Sequence, residues 1–382
     1  MLPPAARDHG AVCPNYSPRA SWHTHRVGEP DTANYVVPPV SGVPRAGRLA
    51  PPTFSVLIPC YQAADTVGEA VASVLSQTVP PNEVIVCDDG STDDLENALA
   101  PYRDRIVVLR QENRGVAAAR NLGLRHATGE FVSVCDADDV YLPSLLAELS
   151  RLATARPDLD ILCCDAFLEA DGRDLGRGRA DPATFVTSDQ RLGILRDNFV
   201  PGRSAFRRQL LVDAGGYDES LSCAEDWDSW IRLILGGARA GMVDLPLART
   251  RLRPGSLTSS RTRLLEGRTA TLAKALARLD LTEPERAVAS GQLALLRDAL
   301  ELAEARQALT SGRPDGRRRC LRIATSPSYP ARTRMKALLS VIVPRAVAWR
   351  TRQMEIVDDR VRRLTSEDPV HRASRTSLRR HV

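Results

Sequence analysis

Lysine is almost missing from this chain. Lys274 and Lys336 are the only two, so 50 of the 52 basic residues are arginine. A bias that uniform fits GC-rich codon usage, so the arginines alone do not argue for forked anion clamps. Aromatic residues are also scarce, at 4%, and the basic excess is confined to one end. Both facts count against a nucleic-acid-binding surface. The eight cysteines form no C-x-x-C pair, and several lie in apolar runs such as IVCDD and VSVCDADD. Buried, reduced thiols of a cytoplasmic protein are expected. The N-terminal residues contain no apolar run of the kind a secretory signal needs. The longest apolar stretch near the C-terminus, Ala337 to Trp349, is broken by Pro344 and Arg345 and is too short to span a bilayer. No internal repeat is visible.

The 382 residues exceed one average core, and 43% hydrophobic with 26% charged residues is a globular balance. Charge is unevenly spread. After residue 310 the chain has 18 of its 52 Lys and Arg but only 6 of its 47 Asp and Glu. A basic tail on a mildly acidic body suits an anionic partner. Residues 1–52, rich in Pro, Gly, Arg and Ser without a period of 2 or 3.6, are expected to be a disordered leader.

From Phe54 the pattern is regular. Phe54 to Ile58 reads as a strand, and Asp65 can cap a helix whose apolar face is Val67, Ala70, Val71, Val74 and Leu75. Strands follow at Glu83–Cys87, Ile106–Arg110, Phe131–Cys135 and Leu159–Cys164. Helices fall at Asp94–Ala100 and Val116–His126, and Pro143 suits the first turn of another. This alternation predicts a mostly parallel sheet covered on both faces, with ligands beyond the carboxyl ends of its strands. From Leu264 long helical stretches take over. One has Leu295, Leu296, Ala299, Leu302, Ala303 and Leu309 on its face, and another runs from Ala331 to Arg363, interrupted at Pro344. The expected organisation is an α/β domain over 53–262, a helical appendage over 263–366 and a basic disordered tail over 367–382.

Three acidic clusters, Asp88-Asp89, Asp136-x-Asp138-Asp139 and Glu225-Asp226, each follow or lie near an apolar segment. Carboxylates gathered at one sheet edge repel unless something positive lies between them. A divalent cation bound to a diphosphate would supply that charge, since Mg²⁺ takes one or two carboxylates plus phosphate oxygens. Taken singly, these clusters also fit turns and helix starts.

Together they carry a resemblance. Ser55-Val-Leu-Ile-Pro-Cys-Tyr61, Cys87-Asp-Asp-Gly-Ser-Thr-Asp93, Glu112-Asn-Arg-Gly115 with Ala119-Arg-Asn-Leu-Gly123, Asp136-Ala-Asp-Asp139 and Glu225-Asp-Trp-Asp228 occur in that order. In order and spacing the stretch from Phe54 to Ser260 resembles the family 2 glycosyltransferases of the GT-A fold. The resemblance implies an α/β, GT-A type nucleotide-sugar-binding domain with a mostly parallel mixed sheet, plus the helical appendage. It also implies an inverting transfer from a nucleoside-diphosphate sugar, with UDP favoured, to an acceptor hydroxyl in cell-envelope polysaccharide or glycoconjugate synthesis. By position, Pro59 and Tyr61 would line the base pocket, and Asp88, with Asp89 beside it, would accept from the base edge. Arg120 would meet the nucleotide across the cleft, Asp136 with Ala137 would approach the ribose, and Asp138 would hold Mn²⁺ or Mg²⁺. Asp226 would be the general base, with Glu225 beside it.

Two positions depart from the family pattern. Gln62 stands where Asn is usual, and Arg253-Pro254-Gly255-Ser256 replaces a His-Pro-Gly-Ser segment. Arginine is no metal ligand but can clamp phosphate, so Arg253 is expected on the diphosphate. Arg120 also fits a surface ion pair with a nearby acid. A nucleotidyltransferase would show glycine and a basic residue after the first strand, and Pro59 to Ala64 has neither. A non-catalytic nucleotide-sugar binding module is the other alternative, and the intact Glu225-Asp226 pair counts against it. The acceptor, a glycan or a lipid-linked sugar, would meet residues in the stretch from Glu169 to Asn198. Finally, Arg332 to Arg352 mixes apolar and basic residues. Its apolar face either packs on the Leu295–Leu309 helix, the commoner fate, or rests on the inner face of the plasma membrane.

Overall fold

The computed structural model describes residues 35–36, 50–170, 172–178, 185–252 and 260–343. Most of the expected leader, the basic tail and the Arg253–Ser256 segment lie outside the described residues.

After a two-residue strand β1 (Tyr35–Val36) come β2 (Phe54–Cys60), α1 (Ala64–Leu75), β3 (Glu83–Asp88), α2 (Leu95–Leu99) and β4 (Val107–Arg110). They are followed by α3 (Val116–His126), β5 (Phe131–Val134), β6 (Val140–Tyr141), α4 (Leu145–Ala155), β7 (Ile161–Ala170) and β8 (Arg173–Arg177). Next are α5 (Gln190–Arg196), β9 (Ala205–Arg207), α6 (Arg208–Asp213), α7 (Glu225–Leu235) and β10 (Ala240–Leu252). The helices α8 (Arg261–Arg278), α9 (Glu283–Thr310), α10 (Gly316–Thr325) and α11 (Ala331–Ile342) close the described chain.

One mixed sheet runs β1-β10-β7-β9-β5-β2-β3-β4, with β6 on β10 and β8 on β7. β5, β2, β3 and β4 are parallel neighbours, and the short β9 is antiparallel to both β5 and β7. β10 carries register shifts on either side of Pro246, as a residue without an N–H requires inside a ladder.

Side chains of β2 alternate between two cores. Val56 and Ile58 pack with α1, α2 and α4, whereas Leu57 packs with α3, α5, α7, α8 and the first half of α9. Fully burying such a side chain contributes about 1.5–3 kcal/mol. Leu57, Ile58, Ile85 and Val86 are all fully buried, so they anchor the strand ends that bear the acidic loops. The core runs across residue 262, because Leu265, Leu272, Ala289, Leu293 and Leu296 belong to it. Arg191 Nε of α5 also donates to Glu285 Oε1 of α9 at 2.6 Å. Further along, Leu302, Ala305, Cys320, Ile323 and Ala337 make a small cluster of their own.

Some local expectations are corrected. Asp65 does not cap α1: Ala63 holds the cap position, and Asp93 Oδ2 accepts from Ala64 N at 2.8 Å. Pro143 lies just ahead of α4, where its carbonyl accepts from Thr78 N at 2.9 Å. Leu295 faces solvent at 47% exposure, because Leu293 and Leu296 set the buried stripe of α9. Cys60, Cys87, Cys135, Cys164, Cys223 and Cys320 are buried free thiols. Burial pushes Cys60 and Cys87 up to about 12, so neither is a nucleophile at neutral pH.

Candidate active site

The carboxyl ends of β2, β3 and β5 share one sheet edge. Cys60 is in register with Asp88, and Leu57 with Val134. Pro59 is buried within β2, while Tyr61, one residue past the strand, is 53% exposed. Gln62 follows in the left-handed region, φ 51°. Its Oε1 accepts from Thr92 N at 2.9 Å and Asp93 N at 3.1 Å, and its Nε2 donates to Thr92 Oγ1 at 2.9 Å. The family's Asn is shorter by one methylene; the longer side chain here latches the loop after β3. Gln62→Ala is expected to cost about 1 kcal/mol of stability, read as a lower urea midpoint at unchanged slope.

Asp88 and Asp89 are both buried but do different things. Asp88 Oδ1 accepts from Ser91 N at 2.8 Å, and its Oδ2 faces Arg110 Nη1 at 3.5 Å. Asp89 is spent inside the protein. Its Oδ1 takes Gln111 Nε2 at 2.7 Å and Arg114 N at 2.9 Å, and its Oδ2 takes Gly115 N at 2.8 Å. Asp89 therefore fixes the entry to α3. Gly90, directly after them, turns at φ 79°, where a Cβ would lie 2.8 Å from Asn113 N. An open cleft of about 500 Å³ is lined by Gly90, Arg110, Gln111, Glu112 and Asn113. It flanks the loop after β3, and no carboxylate from the β5 or α7 ends lines it.

The other two acidic clusters converge on one cation. Arg120, on α3, is buried. It donates from Nη1 to Glu225 Oε1 and from Nη2 to Asp136 Oδ1, the latter at 3.1 Å. Its guanidinium carbon lies 5.6 Å from the centre of the Tyr217 ring. The close approach of α3 to the sheet depends on Gly123, where a Cβ would come within 2.6 Å of Cys87 Sγ. The positive charge between the clusters is thus built into the chain, in addition to any the ligand brings. Asp136 and Asp138 are half-buried, with Ala137 buried between them. Asp139 is buried and structural: its Oδ2 accepts from Thr250 Oγ1 at 2.9 Å and faces Arg203 Nε at 3.5 Å.

Glu225 and Asp226 open α7, whose first turn also contains Asp228. Such a position favours negative charge. Burial holds the Glu225 carboxyl above the usual range; Arg120 pulls it down and Asp226 pushes it up. Asp226 is half-buried. Its Oδ1 accepts from Trp227 N at 2.7 Å, and its Oδ2 from Asn198 Nδ2 at 3.2 Å. The preceding Ala224 is left-handed, φ 61°, and α8 braces it. Thr271 Oγ1 donates to Ala224 O at 3.4 Å, and a Cβ on Gly267 would lie 2.5 Å from Cys223 O.

The register of β2, β3 and β5 thus puts Asp88 and the Asp136–Asp138 loop at one sheet edge, and Arg120 ties that loop to Glu225, next to Asp226. Arg253 lies outside the described residues. Sequence reading missed Asn198, Arg110 and Tyr217. Asn198 carries no local signal, because the contact to Asp226 spans 28 positions. Arg110 could have been suspected as a charge at the end of a strand beside Asp88.

For a metal, Asp136 and Asp138 offer two half-exposed carboxylates two residues apart. Among the described residues no group of three His, Cys, Asp or Glu could hold a cation. The donor set fits an ion completed by phosphate oxygens better than a closed protein cage.

Residues 55–214 match the family described as Glycosyl transferase family 2. The succinoglycan biosynthesis protein ExoU of Rhizobium meliloti is 33% identical over 207 residues, covering 50% of this chain and 59% of that protein. The mannosyltransferase PcManGT from Pyrobaculum calidifontis, solved with GDP-Man and Mn²⁺, superposes with a TM-score of 0.54 at 23% identity, covering 85% of this chain and 92% of that one. S. aureus TarS 1–349 with UDP-GlcNAc gives 0.53 at 20% identity, covering 78% and 92%. At such identities the likeness shows the fold, the GT-A arrangement with helices after it. The chain spans 59% of the length of the first curated relatives it matches. The similarity to glycosyl transferase family 2 thus covers residues 55–214, on a fold of the GT-A arrangement.

Proposed function

We propose that the chain transfers a sugar from a nucleoside-diphosphate sugar to an acceptor hydroxyl, with inversion at the anomeric carbon. The observation that carries this reading is the convergence of the β5 end and the α7 start on Arg120. It sets the expected donor-side carboxylates, Asp136 and Asp138, across one guanidinium from Glu225 and Asp226.

The donor would lie along the carboxyl ends of β2, β3 and β5. Tyr61 supplies an exposed ring for the base, and Asp88 supplies an acceptor. Ser91 N already holds Asp88 Oδ1, so the base N–H would be accepted by Oδ2, beside Arg110. Uracil offers one ring N–H where guanine offers a ring N–H and an amino group, so UDP is favoured. Asp89 acts at one remove, by fixing the loop into α3.

Asp226 accepts the proton of the acceptor hydroxyl. The hydroxyl oxygen forms its bond to the anomeric carbon as the bond to the diphosphate oxygen breaks, and the electron pair leaves with the nucleoside diphosphate. Arg120 keeps Glu225 and Asp136 in place during this exchange. Asp138, with Asp136 beside it, would hold a Mg²⁺ or Mn²⁺ ion, which supplies positive charge against the departing diphosphate. Arg253 would add charge there. The relative named for succinoglycan biosynthesis supports a polysaccharide or other glycoconjugate as product. The buried free thiols support a cytoplasmic location.

The test is a thermal-shift screen of nucleotide sugars with and without Mn²⁺, since a bound donor stabilises by mass action. Donor hydrolysis without acceptor then separates an enzyme from a binding module. Asp138→Ala is expected to abolish the Mn²⁺ dependence of donor affinity while the fold persists. If titration shows that dependence unchanged, the metal assignment is wrong.

A further inference from the structure

The face of α11 that turns inward carries only its smaller apolar residues, Ala337 and the partly buried Val341. Ala337 and Ser340 point inward and are fully buried, and Ser340 Oγ accepts from Arg306 Nε at 2.8 Å. Met335, Leu338, Leu339, Ile342 and Val343 are 43–63% exposed. Their spacing is i, i+3, i+4, i+7 and i+8, one continuous aliphatic stripe along a helix about 18 Å long. Arg332 and Lys336, each three positions before a stripe residue, are exposed as well.

Charge narrows the choice of what covers this stripe. From residue 316 to 343 there are seven Arg or Lys and no Asp or Glu. Arg319 and Arg322 are neutralised by Glu304 and Glu301 of α9. Arg317, Arg318 and Arg332 are exposed and form no ion pair among the described residues. A second copy of the chain would bring two such basic segments together, which repels. The stripe has no aromatic residue, unlike the anchors that dominate protein interfaces. Among the described residues no helix is long and apolar enough to cross a membrane.

We propose that α11 lies in the plane of an anionic lipid surface. The aliphatic stripe enters the acyl boundary, and the basic residues beside it meet the headgroups. The proposal is independent of the transfer chemistry, so either can fail without the other.

The test is flotation of the full chain with vesicles of phosphatidylcholine alone, or of phosphatidylcholine and phosphatidylglycerol in equal parts, at low and moderate salt. The protein should float with the anionic vesicles, less so at moderate salt, and hardly with the neutral ones. Leu338→Ser with Ile342→Ser should lower the partition coefficient at least about tenfold. Arg332→Gln with Lys336→Gln should lower it about fivefold per charge, on anionic vesicles only. All four side chains are exposed, so an unchanged thermal midpoint checks that each variant is folded. Full-length protein that stays in the soluble fraction at both salts overturns the proposal, whether the stripe is covered by a second copy, a protein or residues 344–382. Flotation that is indifferent to the Leu338 and Ile342 pair also overturns it, since the binding would then be made elsewhere.

Discussion

Asp226→Asn is expected to lower turnover by about 10²- to 10⁴-fold while donor affinity holds. The substitution keeps the size of the side chain and removes the proton acceptor. It should also keep the geometry. The new Oδ1 can still accept from Trp227 N. Asn198 now donates to Asp226 Oδ2, so an amide NH₂ in that place would face another donor. Asn198 Oδ1, however, is buried with no partner among the described residues. Turning that amide over presents Oδ1 to the new NH₂ and restores a hydrogen bond. The variant should therefore unfold at the same temperature as the parent. Steady-state rates and a donor titration check it. Normal turnover would remove Asp226 as the base, and loss of donor binding would make it a binding group.

Arg120→Met is expected to cost about 3–5 kcal/mol of stability, a large share of the roughly 5–15 kcal/mol that holds a domain folded. The guanidinium is nearly as buried as Glu225, so its removal leaves a buried carboxylate without its counter-charge. The pH dependence identifies the cause. Burial already raises Glu225 above its ordinary 4.5, and Arg120 opposes that rise. Without Arg120 the folded-state value climbs further, and the folded protein keeps a proton that the unfolded chain releases above about pH 4.5. Stability then falls as pH rises through that window, so the deficit should be larger at pH 7 than at pH 5. Urea unfolding at both values measures it. A companion Glu225→Gln should recover much of the loss, because the uncompensated charge is gone. Equal deficits at both pH values would point to lost packing over Tyr217 instead.

The fold was legible wherever one element buries one face. β2, β3, β5 and α3 declare themselves by apolar runs or by a 3.6-residue period, and their limits fall within a residue or two of expectation. The acidic residues at the strand ends were legible too, since a carboxylate directly after a buried strand is held at the sheet edge. Pairings between distant residues were not legible. Arg120 meets Glu225 across 105 positions, and nothing near Arg120 announces a partner. Asp89 looks like Asp88 in the sequence, yet backbone amides 25 and 26 residues on claim its oxygens. β9 has three residues, too few for any period, and is defined by its pairing with β5 on one side and β7 on the other. The stripe on α11 was visible as a pattern. Its direction was not, because periodicity says that a helix has two faces without saying which one meets the protein.

α9 joins two cores of unequal size, and this sets where the molecule can loosen. Its first half shares the large core with the sheet and with α8. Its last turns, with α10 and α11, share a smaller cluster of five buried apolar side chains. Local opening takes place where few buried contacts must be given up. The seam therefore runs through the middle of one continuous helix rather than through a linker. Opening the α10–α11 pair is therefore expected to cost less than opening the sheet. The turn that presents Asp226 lies on the other side of the seam, where α8 braces it.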